Sequence, residues 1–373
     1  MNPITNPIVT VLMAVYNGGK YLKSSVKSVL NQRFRDFEFL IINDCSTDDF
    51  VKVVESFNDS RIVIHNNVKN MGQTKSLNVG LTLAKGEYIA RMDADDMAFP
   101  MWLEKLLSFI KDHPGYAAVS CSAAVIDGSG APKRIHRTPT NLQDIMVNLF
   151  FGKAMNHVGA ILNKKTILEN GGYDESFSTA QDYELWSSLI RNNCRIINIP
   201  DVLVSVRVHE SSHGFIEAEK KGLMETAETI ARTVRSLAKL DMSHEEAIKM
   251  RLFYRFPSQL TIEDFRWVQR MYETIFEKIK QNGQLDPKLL KKSLRRQMLR
   301  PFCLRAVHEV EMNRPRVARE INRDYIKLYG FHMMPFFLYL ISFAGFKVSK
   351  GLPSIYEKWL ETVTALYLRI KSI

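Results

Sequence analysis

The sequence predicts an α/β domain on a mostly parallel sheet, followed by a mainly α-helical C-terminal region. Three observations carry that expectation. In the first half of the 373 residues, apolar runs of strand length alternate with segments whose apolar residues recur at helical spacing, the pattern of repeated β-α-β units with right-handed crossovers. Beyond about residue 216 the strand-length runs vanish, and long helical patterns with few breakers take over. The charge changes at the same place. Residues 1–215 hold 22 Lys and Arg against 22 Asp and Glu, whereas residues 216–373 hold 29 against 18 and carry the whole net +11. The expected division is therefore a domain over 1–215 and a basic helical region over 216–373.

The elements follow in order. "IVTVLMAV" (8–15) is a continuous apolar run read as the first strand, and Leu22, Val26, Val29 and Leu30 then share a helical face. "FEFLIIND" (37–44) is the second strand, and "CSTDDFVKVVESF" opens the next helix with Ser46 or Thr47 as its cap. "RIVIH" (61–65) is the third strand, and "TKSLNVGLTLAKG" is a helix stopped by Gly86. "EYIARMD" is the fourth strand, and "PMWLEKLLSFIKDH" is a helix with Pro100 near its start. "VGAILNKKTILENGGYDESF" then reads as strand, helix and Gly-Gly turn. "AQDYELWSSLIRNNC" reads as a helix, and "RIINIPDVLVSVRVH" as one or two strands ending near His209. "AEKKGLMETAETIARTVRSLAKL" and "TIEDFRWVQRMYETIFEKIKQ" are tail helices.

Hydrophobic content of 46% and charged content of 24% are those of a globular chain. The four cysteines lie far apart with no CxxC spacing, which argues against zinc or a disulfide framework and fits a reducing, cytoplasmic compartment. The first residues show no basic segment followed by a long apolar one, so no signal peptide is expected. The basic tail fits a polyanionic surface such as phospholipid head groups, and fits a solvated helix face equally well. Between Lys327 and Lys347 no charged residue occurs. Its apolar centre, "PFFLYLISFAGF", is shorter than the ~20 residues needed to span a bilayer, so a buried core helix is favoured. The alternative is an interfacial helix beside "KLLKKSLRRQMLR" (288–300), giving peripheral contact at the inner face of the cell membrane. The tail helices are equally able to pair two copies of the chain.

In an open α/β sheet, ligands bind beyond the carboxyl ends of the strands. Those ends carry Tyr16-Asn17-Gly18-Gly19, Asn43-Asp44 and Asp93-Ala94-Asp95-Asp96. Two like charges about 4 Å apart near a protein surface repel by about 4 kcal/mol, so either solvent screens the aspartates or a cation sits among them. Hard divalent ions take oxygen ligands, Mg²⁺ commonly through one or two carboxylates plus substrate phosphates. Neither GxGxxG after the first strand nor GxxxxGK[ST] occurs, which removes the main support for a dinucleotide fold or a P-loop.

Three blocks then carry a resemblance: "VTVLMAVYNGGKYLKSSVKSVLNQRFRDFEFLIINDCSTDD", "NMGQTKSLNVGLTLAKGEYIARMDADD" and "GGYDESFSTAQDYELW". In order and spacing they resemble family 2 glycosyltransferases, inverting enzymes of the GT-A fold, over about residues 7–215. The resemblance implies that Ala14, Tyr16 and Asn17 wrap the base of a nucleotide-sugar donor, expected to be a pyrimidine (UDP-linked) one, with Asp44 hydrogen-bonded to it. It implies Lys75 near the diphosphate, Asp93 and Ala94 at the ribose, and Asp95 with Asp93 and His209 around Mg²⁺ or Mn²⁺. Asp182 matches the general base. His157, Gln181 and Trp186 fall where the acceptor is lined, although His157 reads equally as a core residue and for Trp186 packing under the helix is favoured. The implied acceptor is a glycan or lipid-linked hydroxyl in bacterial surface polysaccharide assembly. Many relatives have Pro in place of Ala14, Asp in place of Asn43, and Glu in place of Gln181. Two other readings are weighed. A sugar-nucleotide nucleotidyltransferase would want a better glycine-rich basic loop than "YNGGKYL". A non-enzymatic binder of nucleic acid would leave the three blocks unexplained, so no nucleic acid partner is expected.

Overall fold

The computed structural model describes residues 6–152, 154–208, 217–281, 283, 286–312 and 314–330. Its first half follows the alternation: β1 (Val9–Val15), α1 (Leu22–Leu30), β2 (Phe37–Asn43), α2 (Phe50–Glu55), β3 (Ile62–Asn66), α3 (Gln73–Leu83) and β4 (Tyr88–Arg91). The four strands lie parallel in the order β3-β2-β1-β4. All seven residues of β2 and six of the seven of β1 are buried, which is why these strands read as mostly apolar runs: both faces are covered. On one face Val9, Val11, Met13 and Val15 of β1 join Val26 and Val29 of α1 in the core. On the other face Leu12 meets α3 at Gly80, where a Cβ would fall 2.2 Å from Leu12 Cδ1.

Next come β5 (Met97–Ala98), α4 (Trp102–Asp112), β6 (Tyr116–Asp127), β7 (Pro132–His136), α5 (Leu142–Leu149), β8 (Ile161–Asn163), α6 (Lys164–Glu169), α7 (Gln181–Arg191) and β9 (Arg195–Val208). The sheet continues β4-β8-β6-β9-β5, with β7 off β6. The α/β class stands, but parallel pairing governs only β1 to β4 and the β6–β9 pair; β4–β8, β8–β6, β6–β7 and β9–β5 are antiparallel. A short connection explains one of these pairs: residues 128–131 between β6 and β7 are too few for the helical crossover that parallel neighbours need.

Two local expectations fail. Helix α3 ends at Leu83 with an extended Ala84, so Gly86 does not stop it. Gly86 instead passes against β1, where a Cβ would lie 2.4 Å from the Thr10 backbone nitrogen. A buried network fixes that approach: Gly86 N donates to Thr10 Oγ1 (2.9 Å), while Thr10 Oγ1 (2.5 Å) and Lys85 N (2.6 Å) donate to Glu38 Oε1. Neither Ser46 nor Thr47 caps α2, whose N-cap position is Asp49.

The remaining helices are α8 (Glu217–Ala238), α9 (His244–Arg255), α10 (Ile262–Gln281), α11 (Pro287–Glu311) and α12 (Pro315–Tyr329). The chain forms two compact units. One comprises residues 1–251 and 267–293, with α8 packed on α7. The other comprises 252–266 and 294–373. Its described core is aromatic, with Phe302 5.1 Å from Phe265 and 5.5 Å from Tyr325 between ring centroids. The stretch 209–216, which includes His209 and the expected boundary, lies outside the described residues, as does the apolar segment 335–346. No described helix is long and apolar enough to cross a membrane.

The Gly86 contact is testable. Gly86→Ala and Gly86→Asn should each destabilise the chain by about 1–3 kcal/mol, the usual cost of overpacking a tight site, measured by urea unfolding. A helix-capping glycine would accept Asn with little loss, so a neutral Gly86→Asn would contradict the close-packing account.

Candidate active site

The parallel register brings the sequence-predicted residues to one edge. Val15 pairs with Asn43 and Leu12 with Arg91, so Tyr16, Asp44 and Asp93 leave the sheet at its carboxyl end. Ala14 is half-buried in β1, and Tyr16 is 54% exposed with its ring available for stacking. Asn17 takes φ 52°, a left-handed conformation that asparagine tolerates. Its backbone N–H donates to Ser46 Oγ (3.0 Å), its Oδ1 accepts from Thr47 N (2.8 Å), and Gly19 N donates to Asp48 Oδ2 (2.9 Å). Ser46 and Thr47 thus join the loop after β2 to the loop after β1, which is why they are not spent on capping α2.

Asn43 and Asp44 both stiffen this edge. Asn43 Oδ1 accepts from Ser46 N (2.9 Å) while its Nδ2 donates to Asn66 Oδ1 (2.8 Å). An aspartate could accept the first bond but not donate the second, which accounts for the asparagine in this chain. The buried Asp44 carboxylate accepts from Asn67 Nδ2 (2.8 Å), Met71 N (2.9 Å) and Gly72 N (2.8 Å), holding the approach to α3.

At the end of β4 the acidic cluster meets a buried cation. Arg91 is fully buried, and its Nη2 lies 2.5 Å from Asp93 Oδ1. The same oxygen accepts from Gln73 Nε2 (3.1 Å), and Gln73 Oε1 accepts from Gln181 Nε2 (2.9 Å). This chain links the β4 end, the first turn of α3 and the first turn of α7. A glutamate at 181 could not donate to Gln73, so Gln181 suits this link. Beside it, in the first turn of α7, lies the partly exposed Asp182. Burial pushes its carboxyl above the ordinary aspartate range, the hydrogen bond from Tyr183 N opposes this, and the charge of Asp93 adds to the rise. Asp182 and Asp93 are therefore close enough to feel one another. Lys75 is exposed in the first turn of α3.

Asp96 lies in the turn just before β5, ahead of α4, which starts at Trp102. It is buried, and its Oδ1 accepts from Arg207 N (2.7 Å) on β9. Burial raises its carboxyl well above the usual range, with the charges of Asp93 and Asp95 adding to the effect. The Arg207 side chain donates to the carbonyls of Asp95 (3.0 Å) and Asp127 (3.1 Å) and lies over the Tyr21 ring. Sequence reasoning missed Gln73, Arg91 and Arg207. Arg91 had a signal: an arginine in a strand buried on both faces, two residues before Asp93 and hence on its side of the strand.

No group of three His, Cys, Asp or Glu side chains capable of holding a metal occurs among the described residues. The donor chemistry nevertheless fits a hard divalent cation. Asp93 and Asp95 present carboxylates, and their charges add to the burial that raises Asp96, an added repulsion that a cation would relieve. The remaining ligands would have to come from substrate oxygens and water.

His157 and Trp186 are buried. His157 Nε2 lies 2.7 Å from Tyr173 Oη, and the His157 ring meets Trp186 edge-on at 6.0 Å. Trp186 lies on the buried face of α7, and the His157 ring packs against it. Burial, and secondarily the charge of Arg91, holds the imidazole well below its ordinary pKa and so neutral.

The mixed α/β sheet gathers aspartates, glutamines and an exposed lysine at the carboxyl end of its strands, and comparison with known proteins assigns the class. Residues 10–172 match the family described as glycosyl transferase family 2. An uncharacterized glycosyltransferase of Haemophilus influenzae is 30% identical over 237 residues, covering 61% of this chain and 72% of the relative. The O-antigen biosynthesis glycosyltransferase WbnJ of Escherichia coli is 30% identical over 213 residues, covering 55% and 81%. In fold, the chain is similar to S. aureus TarS 1-349 solved with UDP-GlcNAc, with a TM-score of 0.54, 18% identity, and coverage of 82% of this chain and 91% of that one. The chain belongs to glycosyl transferase family 2 and is a nucleotide-sugar-dependent glycosyltransferase.

The state of His157 has a measurable consequence. Its folded pKa lies below the unfolded value near 6.5, so on acidification the unfolded chain takes up the proton first. The associated stability is present above about pH 6.5 and is lost as pH falls below it. Against a His157→Phe variant, the wild-type unfolding free energy should fall more steeply there, by up to about 1.4 kcal/mol per pH unit. Identical slopes would show that the ring is not held neutral.

Proposed function

We propose that the chain transfers a sugar from a UDP-linked donor to a hydroxyl of a glycan or lipid-linked acceptor, with inversion, in the assembly of a bacterial surface polysaccharide. The observation that carries the reading is the placement of Asp182, a partly exposed carboxyl raised by burial and by the charge of Asp93, beside the Gln181–Gln73–Asp93 chain. One poised carboxylate suits single displacement, where no covalent carboxylate intermediate is needed. Asp182 takes the proton from the acceptor hydroxyl as that oxygen attacks the anomeric carbon, and the nucleoside diphosphate departs from the opposite face. The polysaccharide context is supported by WbnJ, whose name concerns O-antigen biosynthesis.

In this reading Tyr16 stacks on the base, and Ala14 and Asn17 line it. Asp44 has three of about four acceptor positions engaged with the approach to α3 and directs the remaining one at the base. Asp93 and Ala94 meet the ribose, and Lys75 offsets charge on the diphosphate. Asp95 and Asp93, with His209, would hold Mg²⁺ or Mn²⁺. Such an ion, when bound, stabilises negative charge on the departing phosphate. Gln181 lies at the acceptor side, while His157 and Trp186 pack against each other at the buried face of α7. Residues 1–215 are assigned the chemistry. The basic helical region is assigned acceptor or peripheral contacts at the cytoplasmic face of the membrane, with Lys288, Lys291, Lys292 and Arg296 exposed on α11.

A donor panel scored by metal-dependent release of nucleoside diphosphate tests the reading, with Asp95→Ala as control. Asp182→Asn should lower turnover by roughly 10²–10⁴, the span usual for a general base, while UDP affinity stays intact. Because the base acts ionised and its pKa is raised, turnover should fall as pH drops through a value above about 4. An Asp182→Asn enzyme with full activity would refute the assignment.

A further inference from the structure

Asp182 stands in the first turn of α7, so its aim depends on how the chain enters that helix. Ala180, at the N-cap position, makes no side-chain cap hydrogen bond. The residues before it, Ser178 and Thr179, offer hydroxyls and backbone N–H groups that a strand or helix would normally satisfy. The partner for all of them comes from α8. Glu225, only 8% exposed, accepts through Oε1 from Ser178 N (2.9 Å) and Ser178 Oγ (3.0 Å). Through Oε2 it accepts from Thr179 N (2.8 Å), Thr179 Oγ1 (2.7 Å) and Ala180 N (2.9 Å). Burial alone would raise its carboxyl, but the hydrogen bonds from Thr179, Ser178 and Ala180 outweigh it and hold the group below the ordinary glutamate range. It is therefore ionised, and charge-assisted bonds of this kind are the strong ones.

Two further features make the contact specific. Gly222, one turn before Glu225, approaches Thr179 so closely that a Cβ would fall 3.3 Å from Thr179 Oγ1. A mid-helix glycine costs helix stability, and here it admits the segment to the helix surface. Two turns beyond Glu225, Arg232 reaches Asp174 (2.8 Å) and the buried Glu184 (3.3 Å), and Glu184 also meets Arg191 (2.5 Å). Residues 222, 225 and 232 recur at i, i+3 and i+10, one face of α8. That face clamps α7 on both sides of Asp182.

We propose that Glu225 is a positioning residue for the transfer reaction: its carboxylate, holding five donors of 178–180, fixes the entry to α7 and with it the aim of Asp182. This rests on the reading of Asp182 as the base. It makes α8 part of the catalytic apparatus, although it lies beyond the three blocks that resemble the family. A glutamine keeps the size but replaces one acceptor oxygen by a donor amide facing N–H groups, and so breaks the clamp without opening a cavity.

The test uses the full chain and four variants: Glu225→Gln, Glu225→Asp, Asp182→Asn and Glu225→Gln with Asp182→Asn. Turnover is read as UDP release from the UDP-sugar that the donor panel identifies, UDP affinity by calorimetry, and local opening by hydrogen exchange over 178–184. Glu225→Gln should lower kcat by about 10-fold or more, the loss expected when hydrogen bonds to a charged group are removed. UDP affinity should stay within about 2-fold and exchange over 178–184 should rise at least about 10-fold, since opening free energy sets exchange. Glu225→Asp should recover part of the rate. In the Asp182→Asn background the same substitution should cost almost nothing, because residues that act as a unit are not additive. Unchanged kcat in Glu225→Gln, or an equal loss in both backgrounds, would overturn the proposal. If Glu225→Gln fails to fold, Ser178→Ala and Thr179→Val carry the same comparison by removing the hydroxyl donors. If Asp182→Asn is fully active, the base reading fails alone, and exchange over 178–184 still reports whether Glu225 holds that segment.

Discussion

The site depends on one ion pair whose cation is buried. Arg91, fully enclosed at the end of β4, lies against Asp93 and also donates to the Met92 carbonyl. A guanidinium buried this deeply is tolerated only with a partner, and removing one member of such a pair typically costs about 3–5 kcal/mol. Its field reaches further than its contacts. It helps to keep His157 neutral, and it lowers the carboxyls of Asp96 and Asp182 against the stronger effect of burial. Without that charge the carboxylates at the sheet edge would face one another through a poorly solvated region, where like charges repel strongly. The acidic edge is stable because a positive charge is built in beneath it.

Around the pair, the loops form a framework with few loose ends. The loop after β1 is bonded to the loop after β2, Asp44 holds the approach to α3, and Gln73 joins α3 to both Asp93 and Gln181. Arg207 draws the end of β9 onto the acidic turn and the β6–β7 hairpin. Residues far apart in the chain thus share one edge through polar contacts, which are directional and fix geometry better than apolar packing does.

Several features were readable from the residues in advance. Mostly apolar runs marked β1 and β2 because strands covered on both faces show little polar surface. The helical spacing of Leu22, Val26 and Val29 marked α1 for the corresponding reason. Tyr16, Asp44 and Asp93 were legible as a group because a parallel sheet delivers every strand end to the same side. The errors are instructive. Gly86 carried the signature of a helix stop, yet its real constraint is the approach of Thr10, some 76 positions away in sequence. Ser46 and Thr47 carried the signature of caps, yet Asn17 competes for them from another loop.

By itself the sequence determined the class of fold, the sheet edge on which Tyr16, Asp44 and Asp93 gather, and the residue types available there. These depend on periodicity and on residue chemistry, which are local. Tertiary structure alone decided which carboxylate is raised and which is paired, because pKa follows burial and neighbours that may be a hundred positions distant. It decided that the sheet turns antiparallel after β4. It also decided that Glu225, on a helix with no sequence signal of function, meets the segment before Asp182, because only folding sets a side chain of one helix against the backbone that enters another.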